Sequence, residues 1–189
     1  MNKNQTEQLE KFKTLTRWMY QDAKASMFKA HANFLVAMAL FNYTETLGMF
    51  LVRRQASPKV RFDEFLKYIG PEYEKIIINN PTINVYDELR CGLTHEGIPK
   101  NRFFCIYGMN EEVSDETLDK GLQNPFTSKG LSLSCGLIFN SDWHIFIGKF
   151  LIDFQHAVIR LASEIENGER NLTNFFEAAQ YINLANFIT

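Results

Sequence analysis

Apolar residues recur at three- and four-residue steps along most of the chain, the pattern of helices that turn one face to a core. Leu9, Phe12, Leu15 and Met19 predict a first helix over 5–22. Phe28, Phe34, Leu35, Met38, Phe41 and Leu47 predict a longer one over about 27–54, apolar on most sides and therefore expected in the middle of a bundle. A short helix is predicted at 62–69, stopping near Gly70-Pro71. The next is expected to start at Asn80-Pro81, where Asn suits the N-cap and Pro the first helical position. Tyr86, Leu89 and Leu93 form its apolar stripe, and Gly97 and Pro99 would end it.

Between 102 and 139 the period changes. RFFCIY (102–107) is strand-like, and LSLSCGLIF (131–139) begins with alternation at Leu131, Leu133 and Cys135. Together they predict a two-stranded antiparallel insertion, bounded at about 101–140, with a long connection rich in Gly, Asn and acids. Helical spacing then resumes over 142–167, through Trp143, Phe146, Phe150, Leu151, Phe154, Val158, Leu161 and Ile165, and Gly168 closes it. A last helix is predicted at about 172–187. The expected fold is a mainly α bundle of four to six helices with a small β insertion, in one domain over 1–189.

Composition changes this picture little. A chain of 189 residues can bury about 70% of its unfolded surface and needs no metal or disulfide to hold a core. Its 17 Phe, 7 Tyr and 2 Trp are many, and suggest a thick core or an apolar subunit interface. A net charge of −2 excludes a global electrostatic attraction to nucleic acid, so any RNA site must be a local patch. Cys91, Cys105 and Cys135 are odd in number and widely spaced, which fits a reduced cytoplasmic protein. The polar N-terminus lacks the apolar core of a signal peptide, and FLVAMALF (34–41) is too short to cross a bilayer. No membrane association is expected.

Candidate chemistry is sparse. His31, His95, His144 and His156 show no ligand pair at zinc spacing, and no metal or other cofactor is expected. Asp153 and His156, three apart, read as an ordinary surface or interface contact. No phosphate-gripping glycine loop and no nucleophile elbow is present. Glu111, Glu112, Asp115, Glu116 and Asp119 read as a solvated loop. Arg53, Arg54, Lys59 and Arg61, in RRQASPKVR, could hold an RNA backbone or form a solvated interhelical turn.

There remains LRCGLTHEG, 89–97, with Arg90 and His95 five positions apart. In a regular α-helix, five steps of ~100° leave two side chains ~140° apart. Read from the residues alone, His95 favours the negative end of the helix dipole, and Arg90 pairs with a carboxylate such as Glu45. The stretch also resembles the signature of the HEPN superfamily, helical domains marked by R-x(4–6)-H towards the end of a bundle helix. FNYTETLG (41–48) on the preceding apolar helix is similar too, as is a long helix after the motif.

The resemblance implies a metal-independent endoribonuclease, commonly a homodimer in which two motifs meet in one cleft. His95 would then be general base or acid, and Arg90 would hold the scissile phosphate, with Glu45, Cys91 and Glu96 as supporting residues. Products would end in 2′,3′-cyclic phosphate. RNA or a nucleotide, and an antitoxin in a defence or stress setting, would be the partners. The alternative is a non-catalytic HEPN-like module that binds RNA or nucleotide, or serves protein interaction. Two departures stand out. Cys91 follows the arginine where many active members carry Asn, Asp or His. Gly97 stands where members silenced by tyrosine modification carry that tyrosine, so such control is not implied.

Overall fold

The computed structural model describes residues 1–53, 55–97, 100, 102–108, 126–128, 131–169 and 172–181. Arg54, Pro99, the five acids between 111 and 119, and the expected helical residues 182–187 lie outside the described residues. Seven helices and five strands are described: α1 (Lys3–Phe28), α2 (Asn33–Gly48), α3 (Pro58–Ile69), α4 (Pro71–Asn79), α5 (Tyr86–Glu96), β1 (Phe104–Tyr107), β2 (Phe126–Ser128), β3 (Leu131–Leu133), β4 (Leu137–Asn140), β5 (Asp142–Phe146), α6 (Ile147–Glu166) and α7 (Leu172–Tyr181). The chain is mainly helical, with more helices than the expected four to six.

Local chemistry explains the boundaries. Asn2 and Gln5 cap the start of α1 reciprocally, each side chain accepting the other's backbone N–H. The helix expected over 27–54 is divided, because His31 takes a left-handed φ of 51° and breaks the ladder between α1 and α2. Its far end also stops early, at Gly48. Ser57 caps α3, accepting the Val60 N–H, and Pro58 takes the first helical position. The basic linker is thus half helix, with Lys59 and Arg61 inside α3. Pro71 starts α4, which the sequence reading missed.

Asn80-Pro81 does not start a helix. The Asn80 side chain donates back to the Ile76 carbonyl at 2.8 Å, and a turn follows. Asn84 instead accepts the Asp87 N–H at 3.2 Å, at the entry to α5. Gly97 closes α5 in the left-handed conformation, φ 72°, as its type predicts.

The β insertion differs from expectation. β1 does not pair with the 131–139 segment. It runs parallel to β5, and β4 pairs antiparallel on β5's other side, so the order is β1-β5-β4. β2 and β3 form a separate antiparallel hairpin. Residues 142–146, expected to begin the long helix, are therefore the central strand. Trp143 and Ile145 alternate into the core while Asp142, His144 and Phe146 face the other way.

The core is aromatic. Phe12, Phe50 and Phe175 join α1, the turn after α2 and α7, with ring centroids 4.9–5.4 Å apart. Phe41, Phe62 and Phe150 join α2, α3 and α6. The α2 helix packs against α1, α3, α5 and α6, the central place its apolar faces predict. Its last residue, Gly48, lies against the α3 backbone, and a Cβ there would stand 1.9 Å from the Arg61 carbonyl oxygen. Among the described residues, no helix is long and apolar enough to cross a membrane.

Candidate functional site

The Arg90–His95 stretch forms a π-helix along the whole of α5, with hydrogen bonds linking residue i to i+5. This overturns the geometric expectation of an α-helix. Five positions are now little more than one turn, so Arg90 and His95 stand on nearly the same side. Arg90 Nη1 lies 3.2 Å from His95 Nε2. A guanidinium has donors only, so the imidazole nitrogen is the acceptor and the ring proton sits on Nδ1. His95 is exposed, and the pair lies at the surface.

The α2 helix supplies the other partners of the motif. Arg90 Nε lies 2.5 Å from Glu45 Oε2, both side chains 16% exposed. The N–H does not point along this contact, so it is a close charge pair rather than an aligned hydrogen bond. The Arg90 guanidinium also lies 5.7 Å from the Tyr86 ring centroid. One turn along, Asn42 Nδ2 donates to Thr94 Oγ1 at 3.1 Å. FNYTETLG thus presents Asn42 and Glu45 to the motif helix, three positions apart on one α-helical face.

Cys91 is half-buried on α5. The Tyr86 phenol is pushed up to about 12, chiefly by burial, then by the neighbouring Cys91 thiol and the Glu45 charge, with Arg90 opposing. Tyr86 therefore stays a neutral hydroxyl whose ring flanks the guanidinium. Glu96 is exposed and pairs with Lys100 at 3.2 Å, away from the arginine.

The sequence reading missed a second anchor. Glu88 is buried, and its Oε2 accepts from Trp143 Nε1 at 2.9 Å and from Arg102 Nε at 3.2 Å. Its backbone carbonyl accepts the Lys100 N–H at 3.1 Å. Arg102 in turn lies 5.1 Å from the Phe139 ring centroid, above β4. Glu88 thereby ties α5 to the central strand of the sheet. The one signal in the sequence was an acid beside Leu89, inside an apolar stripe; its partners stand 14 and 55 positions away.

The remaining expectations are scattered over the surface. Arg53 and Lys59 are exposed, and Lys59 pairs with Asp63 on its own helix. Arg61 lies partly buried at the α2–α3 contact. Asp153 accepts the Tyr73 hydroxyl at 2.7 Å and pairs with Lys149. Tyr73 itself accepts the Gly136 N–H at 2.8 Å, and burial next to Asp153 holds its phenol well above the usual range. The four histidines occupy four different segments, and His144 meets Tyr107 across the sheet at 3.1 Å. Among the described residues, no three His, Cys, Asp or Glu side chains gather as metal ligands would.

Comparison with known proteins brings no match to a family model, a curated protein or a solved structure.

Proposed function

We propose that this chain is a HEPN-like, metal-independent endoribonuclease, with Arg90 and His95 as its reacting pair and a symmetric dimer supplying two such pairs to one cleft. The observation that carries the reading is the 3.2 Å contact of Arg90 Nη1 and His95 Nε2 at the surface, with Glu45 fixing the far side of the guanidinium. A lone cation would be mobile here; a cation held on one edge offers its other edge to a phosphate.

The chemistry follows from those groups. A ribose phosphate that takes the guanidinium releases the His95 Nε2 lone pair. Neutral His95 then accepts the 2′-hydroxyl proton as O2′ attacks phosphorus. Arg90 stabilises the charge growing on the non-bridging oxygens. The P–O5′ bond breaks, the leaving oxygen takes a proton from a second histidine, and the product ends in a 2′,3′-cyclic phosphate. The second copy of the chain supplies that acid.

The rival reading, a non-catalytic module, is favoured by one observation. Arg90 is already charge-paired with Glu45 and donates to His95, so the motif is self-satisfied without a ligand. Incubation with mixed RNAs in EDTA separates the two. The nuclease reading expects cyclic-phosphate ends from the wild type and none from His95→Ala or Arg90→Ala. Intact RNA with a folded, dimeric wild type sinks it, and a monomer by light scattering at micromolar concentration removes the shared cleft.

A further inference from the structure

The π-helical form of α5 is what makes Arg90 and His95 neighbours, and this form does not persist unaided. Runs of i→i+5 bonding are rare, and an isolated sequence of this kind relaxes to α-helix. In α-helix the two side chains would diverge by ~140°. Something outside α5 must hold the wide turns.

Two clamps are visible. On one side are the α2 contacts already described, Glu45 to Arg90 and Asn42 to Thr94. On the other is Glu88, two residues before Arg90, whose carboxylate is buried and held by Trp143 Nε1 at 2.9 Å and Arg102 Nε at 3.2 Å. The second clamp is stiff. Trp143 is fully buried on the central strand, its backbone N–H donates to the Phe103 carbonyl at 3.1 Å, and its ring packs on Phe139 at 4.8 Å. A buried carboxylate with two directional donors cannot turn with the helix without leaving a buried charge unpaired, which is strongly unfavourable.

We propose that Trp143 and Arg102, acting through Glu88, are positioning residues for the Arg90–His95 pair: the sheet inserted after the motif fixes the helical register in which arginine and histidine meet. This rests on the nuclease reading only for its consequence in rate. The geometric claim stands apart from it. The β insertion is accordingly part of the site's frame, and its loss separates the pair even though, among the described residues, the hydrogen bonds and ion pairs of Arg90 and His95 go to α2 and α5.

The test uses the full-length chain with 15N-labelled histidine, His95 being assigned by comparison with His95→Gln. The wild type is expected to show the Nδ1–H form with Nε2 as acceptor. Arg102→Met, at an exposed position, and the near-isosteric Glu88→Gln are expected to lose that signature while far-UV circular dichroism stays unchanged. Cleavage is expected to fall between roughly tenfold and a hundredfold in kcat with KM unaltered, the cost of misplacing a reacting group by about 1 Å. Arg102→Lys, which keeps the charge, recovers part of both. Trp143→Phe should do the same as Arg102→Met; if its cavity unfolds the chain, the Arg102 and Glu88 variants decide. A folded Arg102→Met with wild-type tautomer overturns the proposal; a lost signature with wild-type kcat bears out the clamp and overturns its consequence in rate. A wild type that cleaves no RNA refutes the nuclease reading alone, since the histidine signature still reports on the clamp.

Discussion

Replacing Gly48 by alanine adds one methyl group where α2 and α3 touch backbone to backbone. The new Cβ would stand 1.9 Å from the Arg61 carbonyl oxygen, 2.4 Å from its carbon and 2.8 Å from its Cα. None of these atoms belongs to a side chain that could swing aside. The helices must separate until each distance exceeds 3.0 Å, which disturbs the Phe41–Phe62 contact between them. Overpacking of this kind costs about 1–3 kcal/mol, and a rigid neighbour puts it at the upper end. Alanine's better helix propensity returns about 1 kcal/mol. The net expectation is a loss of about 2 kcal/mol, or roughly 4–8 °C in Tm for a chain of this size. Urea unfolding followed by circular dichroism measures it, and the slope m should not change if the fold is kept. A variant as stable as the wild type or more stable, the direction that propensity alone would give, refutes the close approach of α2 and α3. The functional consequence is separable: α2 also carries Glu45, so the same displacement draws the carboxylate off Arg90.

Three further outcomes follow from the same geometry. Glu45→Gln removes the charge facing Arg90 at a site partly open to solvent, and should cost about 1–2 kcal/mol in urea unfolding; no change would deny the pair a structural role. Tyr73→Phe deletes a buried hydroxyl that donates to Asp153 and accepts from the Gly136 N–H, for about 1–3 kcal/mol in thermal unfolding, and an unshifted melt would contradict that network. At alkaline pH the raised phenols of Tyr73 and Tyr86 favour the folded state's neutral form, so their contribution is complete below pH 10.0 and is lost above it; for Tyr86 the loss runs up to about pH 12, and Tyr86→Phe should flatten the stability curve across that window.

Much of the helical part is legible in the sequence because burial on one face forces a repeat. The stripes of α1, α2, α6 and α7 are visible for that reason. Where two periods overlap, the pattern misleads. Trp143, Phe146 and Phe150 are spaced as in a helix, yet Trp143 and Ile145 are buried on alternate positions of a strand. The distinction lies in pairing with Phe104–Tyr107, about forty residues earlier, which no local window contains. His31 breaks a helix at φ 51° with no glycine or proline to announce it. Asn80-Pro81 carries a start signal, but the turn to Ile83 moves the cap to Asn84.

The candidate site divides in the same way. Arg90 with Glu45 could be anticipated, because a half-buried carboxylate on an apolar helix needs a cation and few are in reach. Arg90 with His95 could not be anticipated from regular geometry, which holds them apart. Their meeting depends on a helical form whose supports come from α2 on one side and the β5 strand on the other. A five-residue spacing separates two side chains on an α-helix and brings them to nearly the same side on the wider π-helix. The motif is therefore a property of the segment together with its two clamps, and a chain with the same nine residues but without Glu88, Trp143 and Arg102 in place would carry the spelling of the site without its geometry.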